Sequence, residues 1–232
     1  MNKLTVLCVK FGTAYSLEYV IKLRNMVARH LTLPYEFVCL TDDPTPIDGV
    51  RLIVQQNGNY QRGWWHKVHM FDPNLPLEGT VLYFDLDIVI HGNINKLVAK
   101  PGEFLGIRDF NRKFNKDYKC LNSSVMSWFH GEHGIIWEKF EESPTEAMRV
   151  FGDQDWIWRL VKSAITFWPD TWIQSYKWEI RNRNELAVTD GKRQFISIVD
   201  NPHIPIDCCV SVFHGDPKPH AVQDQFIIDN WI

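Results

Sequence analysis

Apolar residues in the first half of the chain follow two spacings in turn. Residues 4–9 form a nearly continuous apolar run, typical of a buried strand, and residues 15–31 repeat apolar side chains at the spacing of one helical face. Further apolar runs at residues 36–40 and 50–54 predict two more strands. Strands that alternate with a helical pattern indicate β-α units and a mainly parallel sheet.

The pattern continues through the middle of the chain and then becomes less regular. A helical segment at residues 63–71 precedes residues 80–90, the most apolar strand candidate in the sequence. The later predictions are strands at 103–107, 121–128, 195–199 and 209–213 and helices at 132–140, 153–161 and 221–231. The sequence therefore predicts an α/β fold whose mainly parallel central sheet is flanked by helices.

Length and composition favour one compact domain. A chain of 232 residues, 45% of them hydrophobic, can bury a large core, and no linker-like stretch interrupts it. We therefore predict a single domain over residues 1–232. The formal net charge is -3 and no run of Lys or Arg reaches four residues, which argues against nucleic acid as a partner.

Two further features bear on where the protein acts. The sequence contains no stretch of about 18 uninterrupted apolar residues, so we expect no transmembrane segment and at most a peripheral contact with a membrane. The five cysteines are odd in number, form no C-x-x-C pair and mostly lie in apolar runs. We interpret them as reduced thiols of a cytoplasmic protein.

Two aspartates interrupt the apolar run at residues 80–90. Asp85 and Asp87 are two positions apart, so in a continuous strand their side chains would share one face. Burying two carboxylates without a cation would be very costly, whereas hard divalent cations such as Mg²⁺ and Mn²⁺ prefer oxygen ligands. The pair therefore predicts a divalent metal site, at which the metal would neutralise a diphosphate.

Other interpretations of the aspartates remain open. The strand could end near Phe84 and leave both carboxylates in solvent. The pair could also belong to a phosphatase of the haloacid dehalogenase type, whose nucleophile follows an apolar strand. In that family, however, the motif usually lies near the start of the catalytic domain, whereas about 80 residues of β-α pattern precede it here.

Four other segments accompany the aspartate pair in a characteristic order. Together with Asp85-Leu86-Asp87 they resemble the motifs of GT-A glycosyltransferases, and in particular glycosyltransferase family 8, the glycogenin and lipopolysaccharide galactosyltransferase type. Their order along almost the whole chain carries more weight than any single motif. The segments are residues 63–69, Leu-Asn-Ser-Ser-Val at 121–125, Gly-Asp-Gln-Asp at 152–155 and Val-Phe-His-Gly-Asp-Pro-Lys-Pro at 212–219.

The resemblance implies a Rossmann-like GT-A fold with a nucleotide-binding half at about residues 1–90 and a sugar- and acceptor-binding half at about 91–232. It implies a Mn²⁺ or Mg²⁺ cofactor, held by Asp85, Asp87 and His214. The donor, a UDP-sugar, would contact Lys67, Asp85, Asn122 and Lys218. Because nucleotides bind beyond the carboxyl ends of parallel strands, the donor would also meet Val9, Lys10, Tyr15 and Asp42. The catalytic residues beside the transferred sugar would be Asp153, Gln154 and Asp155.

The implied reaction transfers a hexosyl group from the UDP-sugar to a hydroxyl of a glycan, lipid-glycan or protein acceptor, with retention at the anomeric carbon. No side chain stands out as a dedicated nucleophile, which agrees with a front-face mechanism in which the leaving phosphate helps to deprotonate the acceptor. A nucleotidyltransferase of similar fold is one rival, but residues 10–13 offer only one glycine where it would have a glycine-rich segment. A non-catalytic sugar- or partner-binding domain would not need Asp85, Asp87 and His214 together.

Overall fold

The structure, a computed structural model, describes residues 3–56, 58, 60, 62–181, 186–189, 192–195 and 202–232. Its strands are β1 (Leu4–Lys10), β2 (Glu36–Thr41), β3 (Arg51–Val54), β4 (Thr80–Phe84), β5 (Ile88–Ile90), β6 (Phe104–Arg108), β7 (Leu121–Phe129), β8 (Ile165–Phe167), β9 (Ile173–Ser175), β10 (Leu186–Thr189), β11 (Lys192–Phe195) and β12 (Val210–Val212). Its α-helices are α1 (Leu17–His30), α2 (Ile135–Glu142), α3 (Pro144–Ala147), α4 (Asp153–Val161) and α5 (Gln225–Asn230). The segment predicted as a helix at Gly63–Phe71 forms a 3₁₀ helix.

Seven strands form the main sheet, in the order β3-β2-β1-β4-β7-β6-β8. Neighbouring strands are parallel except at β7, which runs antiparallel to both β4 and β6. A smaller sheet has β12 between β5 and β9, and β10 pairs with β11 in a separate hairpin. The predicted α/β fold with a mainly parallel central sheet is confirmed.

The main sheet is covered on both faces. Val6 and Cys8 of β1 belong to a buried cluster that includes Val20 of α1, whereas Leu7 belongs to the opposite cluster. That second cluster contains side chains of α2, α4 and the 3₁₀ helix Gly63–Phe71. A strand covered on both sides has to be apolar at almost every position, which explains why β1 lacks a polar face.

The prediction of one strand at residues 80–90 is wrong. β4 ends at Phe84 and β5 begins at Ile88, with a bend between them. β4 pairs with β7 in the main sheet and β5 pairs with β12 in the small sheet, so the chain changes sheets at this bend. Asp85 and Asp87 therefore do not share a face through strand alternation, because the bend and not a strand positions them.

The remaining predictions differ from the structure mainly at element ends. The helix predicted from residue 132 begins at Ile135, and the closing helix is limited to α5, with a short 3₁₀ turn at Pro219–Ala221 before it. In the strand predicted at 195–199, Phe195 ends β11 and residues 196–199 lie outside the described residues. In the described part of the chain, no helix has both the length and the apolar character needed to cross a membrane.

Candidate functional site

One cavity of about 540 Å³ lies where the main sheet and the small sheet meet at the aspartate pair. Two predicted site residues, Asp42 and Asp155, do not line it. The predicted residues that do line it are Val9, Lys10, Tyr15, Lys67, Asp85, Asp87, Asn122, Asp153, Gln154, His214 and Lys218. Residues far apart in the sequence thus converge on one cavity, and the individual role of each stays a prediction.

Lys67 connects two carboxylates on the inner side of the cavity. Its Nζ lies 3.0 Å from Asp85 Oδ1, 3.0 Å from Asp153 Oδ2 and 2.9 Å from Ser123 Oγ. Burial alone would lower the pKa of Lys67, but the charges of Asp153 and Asp85 raise it above its usual value. An ammonium has three protons, and three side chains of the protein already accept them. This geometry favours a positioning role for Lys67 over the predicted contact with the donor.

Two hydroxyl groups complete this inner network. Ser123 Oγ donates to Asp153 Oδ2 at 2.7 Å, and Tyr83 OH donates to Asp85 Oδ1 at 2.6 Å. Tyr83 is 1% exposed and Asp153 is 7% exposed, so water reaches these bonds poorly. Hydrogen bonds to charged groups in such surroundings are among the stronger ones in proteins. The inner carboxylates are therefore held in fixed orientations.

Asp87 has a different pair of partners. Lys218 Nζ lies 2.5 Å from Asp87 Oδ2, and Tyr15 OH donates to the same oxygen at 2.9 Å. Burial and the charge of Asp85 raise the pKa of Asp87, while Lys218 and Tyr15 lower it. The repulsion from Asp85 indicates that the bend brings the two carboxylates close together.

His214 lines the cavity inside an aromatic setting. Its Nε2 lies 2.7 Å from Ser175 Oγ, and its ring stacks on Phe110 at 5.3 Å between centroids and meets Trp178 edge-on at 4.4 Å. Burial, and after it the charges of nearby lysines, lower the pKa of His214 to about 3. The imidazole is therefore neutral at neutral pH, with one ring nitrogen directed at a serine hydroxyl.

The predicted three-residue metal site is not assembled in this structure. Among the residues that the structure describes, no group of three or more His, Cys, Asp and Glu side chains is close enough to hold a metal ion. Asp85 and Asp87 remain a pair of oxygen donors, while His214 is bonded to Ser175. The role of His214 as a metal ligand stays a prediction.

The turn after β1 contributes to the lining of the cavity. Lys10 is buried, and its Nζ donates to Gly12 O at 3.1 Å and lies 3.4 Å from Asp43 Oδ2. Gly12 adopts a positive φ of 65°, which favours glycine, and its N–H lies 3.1 and 3.0 Å from the two carboxylate oxygens of Asp42. Asp42 therefore shapes this turn and does not line the cavity, whereas Val9 and Lys10 do.

The start of α4 also contributes to the lining. Asp153 and Gln154 line the cavity, but Asp155 does not. Burial, and then the charges of Asp153 and Asp109, raise the pKa of Asp155. Asn122 accepts a hydrogen bond from Ser124 N at 3.1 Å through its side-chain oxygen, which leaves its amide nitrogen to donate to a ligand.

Four of the residues that line this cavity without having been assigned in the sequence analysis are Tyr83, Ser123, Phe11 and Trp64. Tyr83 is two positions before Asp85, so strand alternation alone could have placed the two on the same side of β4. Ser123 adjoins Asn122, but nothing in the sequence indicates that its hydroxyl joins Lys67 to Asp153. The other two are the aromatic residues Phe11 and Trp64.

No family model and no curated protein matches this sequence. Solved structures do match it. The glycosyltransferase GlyE of Streptococcus pneumoniae TIGR4 superposes with a TM-score of 0.66 and 17% identity, over 99% of this chain and 62% of GlyE. The galactosyltransferase LgtC, solved in complex with donor and acceptor sugar analogs, gives a TM-score of 0.63 and 14% identity, over 93% of this chain and 88% of LgtC.

Likeness at this level of identity concerns the fold. This chain spans less than two thirds of the length of GlyE and most of the length of LgtC. The chain therefore has the GT-A fold of the glycosyltransferases that it resembles in structure.

Proposed function

We propose that this protein is a glycosyltransferase that moves a hexosyl group from a UDP-sugar to an acceptor hydroxyl. The observation that carries the proposal is one cavity, in which three carboxylates, three lysines and a set of uncharged polar groups converge. The carboxylates and lysines suit a charged diphosphate, and the polar groups at the start of α4 suit a sugar. The GT-A fold supports this chemistry by analogy with the glycosyltransferases that share it.

The donor atoms of Asp85 and Asp87 fit a hard divalent cation. Such a cation is commonly held by one or two carboxylates together with phosphate oxygens of the substrate, so a third protein ligand is not required. Lys67 and Tyr83 contact Oδ1 of Asp85, and Lys218 and Tyr15 contact Oδ2 of Asp87, so a cation would bind the other carboxylate oxygens or replace these partners. We propose that Mn²⁺ or Mg²⁺ binds there with the donor, where it would supply positive charge to the diphosphate.

Lys218 is the side chain best suited to neutralise the departing diphosphate. It is partly accessible, with 25% of its side chain exposed, and it lies three residues after Gly215 in the loop after β12. Its charge would favour the leaving group more strongly as negative charge develops during the reaction. Lys67 would stay in place, since its partners are Asp85 and Asp153.

The sugar would lie between Asn122 and the start of α4. The amide nitrogen of Asn122 and the carboxylate of Asp153 can bond sugar hydroxyls, with Gln154 beside them. In the proposed reaction the bond between the anomeric carbon and the diphosphate oxygen breaks and a bond to the acceptor oxygen forms. The acceptor proton passes to the departing diphosphate, and the anomeric configuration is retained.

Removal of one cavity carboxylate tests this proposal. UDP binding to the full-length chain would be measured by isothermal titration calorimetry with and without MnCl₂, and UDP release would be measured with a panel of UDP-hexoses. We expect MnCl₂ to tighten UDP binding at least about tenfold and Asp87→Ala to abolish that gain. UDP release would fall by at least about a hundredfold in the same variant.

Asp48→Ala provides the matched control, because Asp48 is exposed and does not line the cavity. It should behave like the unchanged protein in both measurements. Manganese-dependent UDP binding that persists in Asp87→Ala would contradict the metal assignment. Formation of pyrophosphate from UTP and a hexose 1-phosphate would instead support a nucleotidyltransferase.

A further inference from the structure

Trp64 differs from the other aromatic residues of the described chain by its exposure at the cavity. Only Trp64 and Phe151 are exposed among the aromatic side chains whose burial is described, with 39% and 93% of their surfaces accessible. Trp64 lines the cavity that holds Asp85, whereas Phe151 does not. The next residue, Trp65, is 2% exposed and stacks on Phe140, so packing explains Trp65 but not Trp64.

Two neighbours define the position of the Trp64 indole. The guanidinium carbon of Arg62 lies 4.9 Å from the ring centroid, over one face. The indole nitrogen Nε1 lies 3.7 Å from the point that a Cβ on Gly152 would occupy, so one edge of the ring adjoins the loop just before Asp153. In the described part of the chain, Nε1 has no hydrogen-bond partner. The ring is thus placed beside the proposed sugar site, with a free donor at its edge.

The depth of the surrounding residues indicates which substrate would meet this ring. Asn122 and Asp153, proposed to hold the donor sugar, are each 7% exposed. Trp64 is far more exposed and therefore lies nearer the mouth of the cavity. A second substrate that enters after the donor would pass over Trp64, whereas the donor sugar would lie further in.

We propose that Trp64 is a binding platform for the acceptor and that the acceptor carries a pyranose ring. This inference rests on the proposed function and adds the chemical class of the acceptor. A pyranose presents an apolar face of C–H groups, which can cover an indole ring, and hydroxyl groups, which can accept from Nε1. Tryptophan suits this role because it offers a large contact area at a low cost in side-chain entropy.

Transfer to simple pyranosides tests the platform. UDP release from UDP-glucose and UDP-galactose would be measured in water alone, and then with octyl β-D-glucopyranoside, octyl β-D-galactopyranoside or n-octanol. For Trp64→Ala we expect the KM for the pyranoside to rise roughly tenfold while UDP release in water stays within about twofold. Trp64→Phe, which keeps an aromatic ring, should recover most of the affinity.

A direct measurement separates binding from turnover. Saturation-transfer NMR with methyl β-D-glucopyranoside and methyl β-D-galactopyranoside, in the presence of UDP and MnCl₂, should show contact with the unchanged protein and a strongly reduced signal with Trp64→Ala. Phe151→Ala is the matched control, because it removes an exposed aromatic side chain from the adjacent loop without changing the cavity lining. It should leave both the KM and the NMR signal unchanged.

The outcomes distinguish this inference from the proposed function. An unchanged pyranoside KM in Trp64→Ala, an equal effect of Phe151→Ala, or a rise in the donor KM instead would overturn the platform while leaving a glycosyltransferase intact. The absence of NMR contact with every pyranoside, or equal transfer to n-octanol, would also overturn it. A protein that binds pyranosides through Trp64 but releases no UDP from any UDP-hexose would contradict the proposed function alone.

Discussion

The two aspartates of the bend are each paired with a lysine, but the two pairs are built differently. Lys67 lies in the 3₁₀ helix Gly63–Phe71, which packs against the main sheet. Its side chain is 10% exposed and contacts Asp85, Asp153 and Ser123. Lys218 lies in the loop after β12 of the small sheet, is 25% exposed and has Asp87 as its charged partner. All four residues of the two pairs line the cavity, but Lys67 is enclosed by three partners whereas Lys218 is the more accessible of the two lysines.

Because the two lysines differ in exposure and in number of partners, we expect the two ion pairs to have different roles. A buried charge that loses its partner costs several kcal/mol, because nothing else solvates the charge that remains. A partly accessible lysine can exchange one anionic partner for another at much lower cost, since water screens the intermediate arrangement. We therefore interpret the Lys67 pair as part of the framework and the Lys218 pair as the part that a substrate diphosphate can rearrange.

The largest expected effect comes from removing the enclosed lysine. Lys67→Met removes the cation from the buried carboxylate of Asp153 and from the partly exposed carboxylate of Asp85, so we expect the free energy of unfolding to fall by about 3–5 kcal/mol. Urea denaturation followed by circular dichroism measures this change. The double variant Lys67→Met with Asp153→Asn removes one of the stranded charges and should recover part of the loss. A loss below about 1 kcal/mol in Lys67→Met would show that this pair is not part of the framework.

The tyrosines beside the two pairs provide a smaller, matched test. Tyr83 donates to Asp85 in the enclosed network, and Tyr15 donates to Asp87 at the cavity. We expect Tyr83→Phe to lower the free energy of unfolding by about 2 kcal/mol and Tyr15→Phe by about 1 kcal/mol, because only Tyr83 is almost fully buried. Parallel urea titrations of the two variants measure the difference, and equal losses would remove the distinction between the two sides.

Much of the fold could be predicted from the sequence because burial on both faces leaves a direct record in it. The continuous apolar run of β1 and the helical spacing of α1 identified both elements within a few residues. Local patterns do not record which sheet a strand joins, so the apolar run from Thr80 to Ile90 could not reveal its change of sheet. That change depends on pairing with β7 and β12, both distant in sequence.

The sequence predicted most of the residues that form the candidate site, but fewer of the contacts that they make. Charged and amide residues embedded in apolar elements, such as Asp85, Asp87 and Asn122, stand out because their burial requires a reason. The partners of Lys67 and His214 could not be predicted, since each depends on hydroxyl groups of ordinary serines brought close by the fold. Nothing in the sequence indicates these roles of Ser123 and Ser175. Ser123 accepts the third hydrogen bond of the Lys67 ammonium, and Ser175 is hydrogen-bonded to Nε2 of His214.

The smallest expected change in stability comes from the lysine at the cavity, where the expected effect is on binding instead. Lys218→Met should lower the free energy of unfolding by no more than about 1 kcal/mol, because Asp87 keeps the hydrogen bond from Tyr15 and its raised pKa lets it take up a proton when it loses its cation. Affinity for UDP in the presence of MnCl₂ should fall about tenfold, since a diphosphate would lose a direct positive partner. Calorimetric titration with UDP, set beside a urea titration of the same variant, measures both quantities. Lys177→Met is the control, because Lys177 adjoins the same loop but does not line the cavity. An equal loss of UDP affinity in Lys177→Met would mean that the overall charge, and not a direct contact, explains the effect of Lys218→Met.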